Sequence, residues 1–489
     1  MTRAAFTLVA ALACVECGAT KPAVVIPTPP PAASRIALLQ KELSAIFEAP
    51  QFERSFWSVL VRPVGSVEDI FGLNAGKLMM PASAVKIVTT AAAAERLGWD
   101  HRFETRIVTA APIESGILRG DLVIVGGGDP SISERSDRPG ALRDMARQVR
   151  EAGVTRIEGG VIGHDDLYDD SAFGEGWTLD NVPYGYAAPV SALTYNEGSI
   201  DLVIRAGAAA GDPVSVDMRP EGGELQIDNR LVTVAESGAG MLTLQRLPGS
   251  SRVTVQGQIP AKAAPFARTA SVDNPTRFFA AAFRLALIAE GVQVDGDAID
   301  IDELATKPDL TDTRMLVTRQ SPPLSELAAT MMRISQNQYA EMLLRSIGGR
   351  RTVQDILTGW GIPRDGYFQA DGSGLSRYSY ITSDALVRIL QRMHSDPKHE
   401  SAFSQSLPMA GRDGTLSKRL AGTAADGRVR AKTGTVNNTR AIAGYVQTAD
   451  GETLVFSIIA NNFNIANSAI DAAADSALIR LATFSNLVN

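Results

Sequence analysis

The chain has 489 residues, enough for about three domains, with 45% apolar and 21% charged side chains, so disorder over its whole length is excluded. Lys and Arg number 47 against 54 Asp and Glu, a formal charge of −7, which excludes the clustered positive charge on which nucleic-acid binding runs. The four histidines, His101, His164, His394 and His399, share no metal-ligand spacing, which excludes a zinc site built on them.

Residues 1–19 read as an export signal: Arg3, an apolar run from Ala4 to Val15, then small residues with a cleavage site after Ala19. Alternatively Ala11-Leu12-Ala13-Cys14 is a lipoprotein signal with an anchor at Cys14. The apolar run is short for a membrane span. Both readings place the mature chain in the periplasm or cell envelope; a cytosolic chain with a fortuitous apolar start is the third. Cys14 and Cys17 are the only cysteines, so no disulfide framework follows. Residues 20–34, with Pro27-Thr28-Pro29-Pro30-Pro31, read as a stiff linker.

Ile36, Leu39, Leu43 and Phe47 recur at helical spacing, and Trp57–Val64 reads as a strand. Pro81 opens an Ala-rich helix that runs to Leu97 and stops at Gly98. Strands are predicted at Phe103–Val108, Leu118–Val125 and Arg156–Gly163, with a helix over 140–152 between the last two. Residues 191–270 alternate, are rich in Gly and poor in aromatics, and read as a small all-β module. Helix Pro275–Glu290 follows. Helices Ser325–Ile334 and Gln338–Ile347 flank a break. Strands Gly444–Thr448 and Thr453–Ala460 meet at the Asp450-Gly451 turn, and Ile470, Ala474, Leu478 and Leu481 mark a last helix. The α/β ends and β-rich middle predict one α/β domain interrupted by an insertion.

No Gly-x-Ser-x-Gly elbow occurs. Ser83-Ala84-Val85-Lys86 instead puts a hydroxyl and an amine on one helix face, near the positive end of the helix dipole. An amine lowered in pKa by burial or a nearby cation takes a serine proton. Ser335-Gln336-Asn337 lies in the break between two helices, and Lys432-Thr433-Gly434-Thr435 precedes an expected strand. Singly, each has an ordinary explanation: a chance helical pair, a helix cap, a hairpin shoulder.

In this order the three resemble the Ser-x-x-Lys, Ser-x-Asn and Lys-Thr-Gly set of penicillin-binding proteins and serine β-lactamases. The interval from Ser83 to Ser335 is far longer than that from Ser335 to Lys432. A long insertion there resembles the low-molecular-mass class C penicillin-binding proteins, the D-alanyl-D-alanine carboxypeptidase/endopeptidase family. The runs Gly120–Pro130, Tyr184–Asn196, Asp371–Arg377 and Leu407–Leu416 are similar to that family's as well, so the resemblance covers roughly 35–485. Gly126-Gly127-Gly128 reads as a turn with unusual backbone angles, and Asp371–Gly374 as a loop supporting the cleft.

The resemblance implies an α/β (α+β) penicillin-binding/serine β-lactamase-like transpeptidase fold with a large insertion, an α+β domain plus a small β-rich domain. The expected catalytic domain is 35–104 with 301–489, the inserted domain 105–190 with 279–300, and the β-rich domain 191–278. The activity implied is hydrolysis of the terminal D-Ala-D-Ala bond of peptidoglycan stem peptides, and of D-Ala-to-diamino-acid crosslinks, through an acyl-enzyme. β-Lactams act as covalent inhibitors, and no metal or organic cofactor is implied.

Ser83 is then the nucleophile and Lys86 its base; Ser335 relays the proton to the leaving amine, and Asn337 holds Lys86 and the substrate amide. Lys432 keeps the site electropositive and lowers neighbouring amine pKa values. Thr433 and Thr435 bind the terminal carboxylate beside Gly434, and the backbone N–H groups of Ser83 and Thr435 form the oxyanion hole. Where the family often has an aspartate before the Tyr-Ala-Ala-Pro run, this chain has Asn181 with Asp180 beside it. Asp180 and Tyr186 are the expected pocket for the stem peptide's free amine, with a loop cap and core packing as their ordinary alternatives. A serine β-lactamase, a strict transpeptidase and a non-catalytic β-lactam- or peptidoglycan-binding protein are the rival readings.

Overall fold

The computed structural model describes residues 32–135, 139–220 and 225–486. The signal and lipobox readings at 1–19, with Cys14, lie outside the described residues. The linker read over 20–34 gives way to helix at Ala32. Among the described residues no helix is long and apolar enough to cross a membrane.

One five-stranded antiparallel sheet is assembled from both ends of the chain. Its order is Phe71–Leu73, Phe56–Pro63, Thr453–Asn461, Thr439–Gln447, Val429–Val436. Alternation along the strands divides their side chains between two layers. Val59, Val61, Ile442, Phe456 and Ile458 pack against Leu39 and Leu43 of helix Ala32–Phe47 and Leu478 of helix Asn467–Ala482. Leu60, Ala443, Val455 and Ile459 pack on the other face, against Ile87, Val88, Leu386 and Leu390. Both faces are covered, so these strands read as continuous apolar runs. Helix Lys86–Leu97, which begins at the catalytic-motif lysine, lies in this second layer.

The insertion leaves and returns through one narrow neck. Ser321 N–H donates to Phe103 O (2.8 Å) and Leu324 N–H to His101 O (2.8 Å). Within it a mixed sheet runs Ala298–Asp300, Val161–His164, Leu122–Val125, Glu104–Thr109, Arg314–Gln320. Strand Arg314–Gln320 pairs with Glu104–Thr109, so the inserted sheet draws in residues beyond the expected return at 301. Likewise helix Pro275–Ala289 packs as a unit on helix Ala141–Glu151 and strand Val161–His164, across the boundary expected at 278–279. The β-rich stretch forms two three-stranded sheets, Ser215–Arg219/Ser199–Arg205/Phe266–Ser271 and Gln226–Val234/Arg252–Pro260/Met241–Gln245. One contiguous apolar cluster joins these sheets to the rest of the insertion, with Leu202, Val253 and Val255 in the same core as Ile124, Val149 and Phe279.

Two predicted strands are each broken in two. Leu118–Val125 divides into Ile117–Leu118 and Leu122–Val125, and Arg156–Gly163 into Arg156–Ile157 and Val161–His164. The halves belong to different sheets. The break falls where Gly120 and Gly159 touch: a Cβ on Gly159 would stand 2.5 Å from the Gly120 carbonyl carbon. Periodicity carries no signal for a strand that changes sheets at a glycine.

Candidate active site

The predicted single helix from Pro81 is instead one 3-10 turn, Ala82–Val85, leading into α-helix Lys86–Leu97. In a 3-10 turn the side chains at i and i+3 eclipse, which places Ser83 over Lys86. Lys86 Nζ lies 2.9 Å from Ser83 Oγ, and donates to Asn337 Oδ1 (2.7 Å) and to Ser373 O (2.8 Å). The lysine is fully buried. Burial lowers its pKa from 10.5 to about 7, against the charges of Asp371 and Glu341, which pull it up. A neutral Lys86 keeps two N–H groups for Asn337 and Ser373 and a lone pair for the Ser83 hydroxyl proton.

Helix Leu324–Ile334 ends at Ser335, whose φ of 61° is left-handed, and Asn337 opens helix Asn337–Ser346. Such a backbone costs on the order of 1–3 kcal/mol for a non-glycine residue. The kink turns Ser335 Oγ to Lys432 Nζ (2.9 Å), which also donates to Thr433 O (2.7 Å). Lys432 lies on the edge strand Val429–Val436 and is fully buried. Its pKa is driven well down by burial and then by the charge of Lys86. Burial is the largest cause at both amines, and the repulsion between Lys86 and Lys432 disfavours charging both.

The floor under Lys86 is the Asp371–Gly374 loop. Asp371 is buried and accepts from the N–H groups of Gly374 (3.1 Å) and Ser376 (2.7 Å), Ser379 Oγ (2.9 Å) and Trp177 Nε1 (3.0 Å). Glu341, buried one helical turn beyond Asn337, accepts from the N–H groups of Gly372 (3.0 Å) and Ser373 (2.8 Å). Burial, with the Asp371 charge, raises the Glu341 carboxyl. The loop therefore presents the Ser373 carbonyl to the lysine, and backbones close in behind it. A Cβ on Gly374 would stand 2.0 Å from Ala82 O, where φ is 46°.

Two independent polar pairs, Ser83–Lys86 and Ser335–Lys432, thus meet around Asn337. The model of the D-Ala-D-Ala carboxypeptidase 3 (S13) family matches residues 39–483. The chain belongs to this family. It is 35% identical over 473 residues to a D-alanyl-D-alanine carboxypeptidase of Actinomadura sp. (strain R39), spanning 92% of this chain and 86% of the relative. Penicillin binding protein 4 from Haemophilus influenzae has a TM-score of 0.79 at 24% identity, over 91% of this chain and 99% of that one. A predatory peptidoglycan endopeptidase from Bdellovibrio bacteriovorus has a TM-score of 0.51 at 15% identity, over 87% and 93%. The expected penicillin-binding-protein fold with its large insertion is the observed fold.

Within this S13 chain the five motif residues Ser83, Lys86, Ser335, Asn337 and Lys432 form one connected site. Of the remaining expected residues, Gly434 lies against the Ser83 turn, Thr433 and Thr435 flank it on the same strand, and Asp180 and Tyr186 lie on the 177–186 loop. Asn337 Nδ2 donates to Tyr186 O (2.8 Å), which ties the 177–186 loop to the site. The Tyr186 ring stacks on Tyr184 with centroids 5.4 Å apart, and its hydroxyl donates to Asn181 Oδ1 (3.1 Å). Burial, with the charges of Tyr184 and Asp180, pushes this phenol up to about 12. Tyr186 is 45% exposed, so its ring is not core packing. Asp180 is exposed on the same loop. Thr433 Oγ1 donates to Thr415 Oγ1 (2.8 Å), and Arg440 donates to Thr435 Oγ1.

Glu341, Arg440 and Thr415 were not singled out in the sequence. Glu341 carried a usable signal, a carboxylate four residues after Asn337 on one helix face. Arg440 carried none, because only antiparallel pairing sets it opposite Thr435. Among the described residues the carboxylates of Asp165, Asp300 and Asp302 also approach one another, but in the insertion, with Lys307 Nζ on Asp302 (2.6 Å).

Gly434 is required by close approach. A Cβ there would stand 2.4 Å from Pro81 O and 3.1 Å from Ser83 N. Gly434→Val is expected to displace the nucleophile turn and to slow acylation by benzylpenicillin at least about a hundredfold, with native circular dichroism. Acylation near the wild-type rate would contradict this placement.

Proposed function

We infer that the protein is a serine DD-carboxypeptidase that releases the terminal D-Ala of peptidoglycan stem peptides through an acyl-enzyme. The observation that carries this is the buried Lys86 amine 2.9 Å from Ser83 Oγ, with a pKa brought to about 7. Neutral Lys86 takes the Ser83 proton as Oγ attacks the carbonyl between two D-alanines. The backbone N–H groups of Ser83 and Thr435 hold the oxyanion. The proton reaches the departing D-Ala amine through Ser335, which Lys432 orients. Asn337 holds the amide while anchored to Lys86. Water then attacks the ester, returns its proton along the same groups and frees Ser83.

The terminal carboxylate of the substrate lies beside Thr433, Thr435 and Lys432. An anion there raises the lowered Lys432 pKa, so carboxylate binding and protonation of the Ser335–Lys432 pair are coupled. Asp180 and Tyr186 wall the pocket for the stem's diamino acid. The same chemistry opens the D-Ala-to-diamino-acid bond of crosslinks. Such a substrate places the enzyme in the cell envelope, as the leader at 1–19 suggests. β-Lactams mimic the D-Ala-D-Ala terminus and acylate Ser83.

Intact-mass spectrometry after benzylpenicillin, with peptide mapping, tests this reading. A lasting adduct on Ser83, with D-Ala release from a stem pentapeptide, is expected. Penicillin destroyed without an adduct would establish a β-lactamase; penicillin intact without an adduct would establish a binding protein. The acylation rate constant should rise with pH through about 7 and level off, because Lys86 is a base only when neutral. At the ordinary pKa of 10.5 well under 1% of a lysine is neutral at pH 7, against roughly half here. A rate still climbing above pH 9 would contradict the lowered pKa.

A further inference from the structure

We propose that the groove between the 177–186 loop and the outer face of strands Met241–Gln245 and Arg252–Pro260 holds the glycan strand of the polymer whose stem peptide is cut at Ser83. This rests on the peptidase reading and names the larger substrate that the insertion serves.

The groove has a volume of about 700 Å³, within the range of ligand sites. Its floor is made by strand alternation. Leu242, Leu244, Val253 and Val255 turn inward to the core of the insertion. Thr243, Gln245, Arg252, Thr254 and Gln256 take the opposite face. Register sets Thr243 opposite Gln256 and Gln245 opposite Thr254, which makes a ladder of hydroxyl and amide groups. Such groups both donate and accept, as do the hydroxyl and acetamido groups of an uncharged polymer of N-acetylated amino sugars. Of its two basic lining residues Arg246 is buried and paired with Asp273, which leaves Arg252 as the exposed cation, so the floor does not suit a polyanion.

The opposite wall is apolar. Leu179, Pro183 and Tyr184 line it, and Leu179 is 66% exposed. A pyranose ring has one edge of hydroxyls and a face of C–H bonds, and this groove offers one wall for each. The wall is held firmly. Arg246, with its side chain wholly buried, donates to Asp273 (2.7 Å), to Ser271 Oγ (2.7 Å) and to Val182 O (3.3 Å), and Ser271 N–H donates to Pro183 O (3.1 Å).

The groove and the site share the 177–186 loop. Tyr184 stacks on Tyr186, and the Tyr186 carbonyl accepts from Asn337. Asp180 lines the groove on the same loop. A stem peptide extending from Ser83 past Tyr186 arrives at the groove, where its sugar would lie.

The test compares wild type with a Gln245→Ala/Arg252→Ala double variant; both side chains are exposed, so the fold is retained. The substrates are glycan chains bearing uncrosslinked pentapeptides and a soluble acylated tripeptide ending in D-Ala-D-Ala. The ratio of the two kcat/KM values, polymer over tripeptide, is expected to fall about tenfold in the variant. An unchanged ratio overturns the proposal. A peptide-free tetramer of N-acetylglucosamine, titrated by calorimetry, should bind wild type and not the variant; failure to bind wild type also overturns it. A wild type inert toward both substrates that still binds the tetramer would overturn the peptidase reading and support the groove.

Discussion

Ser83→Ala removes D-Ala release and every covalent penicillin adduct, with kcat/KM falling at least about 10⁴-fold and the fold intact. The hydroxyl has one short contact in the site, with Lys86 Nζ at 2.9 Å, and its loss leaves the lysine bonded to Asn337 Oδ1 and Ser373 O. The turn that carries it is held by backbone contacts from Gly374 and Gly434, which alanine leaves untouched. The chemistry is therefore lost without the architecture. Mass spectrometry and a D-Ala release assay read the result. An adduct persisting on the variant, or residual turnover within a hundredfold of wild type, would assign the nucleophile elsewhere.

Lys86→Met is expected to cost about 10³-fold or more in acylation and, unlike most core substitutions, to stabilise the protein at neutral pH. Among the described residues Lys86 Nζ is the basic atom in hydrogen-bond contact with Ser83 Oγ, and methionine offers no replacement. The stability claim follows from linkage. The folded pKa is lowered from 10.5 to about 7, so between these values the unfolded chain binds more protons and wild-type stability rises with pH. Below pH 7 the full penalty of burying the lysine is present, on the order of 5 kcal/mol. Methionine has similar volume and no charge, but it leaves Asn337 Oδ1 and Ser373 O without a donor, at about 1–3 kcal/mol each. At about 2 kcal/mol for each orphaned acceptor the net gain is about 1 kcal/mol or less at pH 7, and it shrinks as pH rises toward 10. Denaturant midpoints of both proteins at pH 7 and pH 9.5 measure it. A variant less stable than wild type at pH 7, or a gap that widens with pH, would contradict the origin assigned to the shift. The lysine is thus held at a cost in stability that its proposed role as base requires.

The sequence alone determined the chemistry and the outline of the scaffold. Ser83 and Lys86 lie within one turn and Ser335 and Asn337 flank one break, so these motifs are local and legible from residue type and spacing; Lys432 was expected ahead of a strand and instead lies within the edge strand Val429–Val436. The terminal helices and the hairpin around Asp450-Gly451 were legible for the same reason, since their signals are periodicity and turn chemistry within a few residues. The 3-10 form of the Ser83 turn was not legible. It depends on the approach of Gly374 and Gly434, which are remote in sequence and touch the turn only in the folded chain. Burial and a nearby cation were both expected as causes of a lowered Lys86 pKa; burial is the larger, and its extent belongs to the assembled site. Arg314–Gln320 could not be assigned to the inserted sheet, nor two strands be seen to break at glycines, because pairing partners are chosen by register across the fold and not by the strand itself. Tertiary structure also joined the 177–186 loop both to Asn337 and to the β-rich module, through hydrogen bonds from Asn337 Nδ2 on one side and from the buried Arg246 and the Ser271 N–H on the other. Local patterning thus names the candidate reacting groups. Their protonation, their backbone strain and the reach of the site depend on what packs against them.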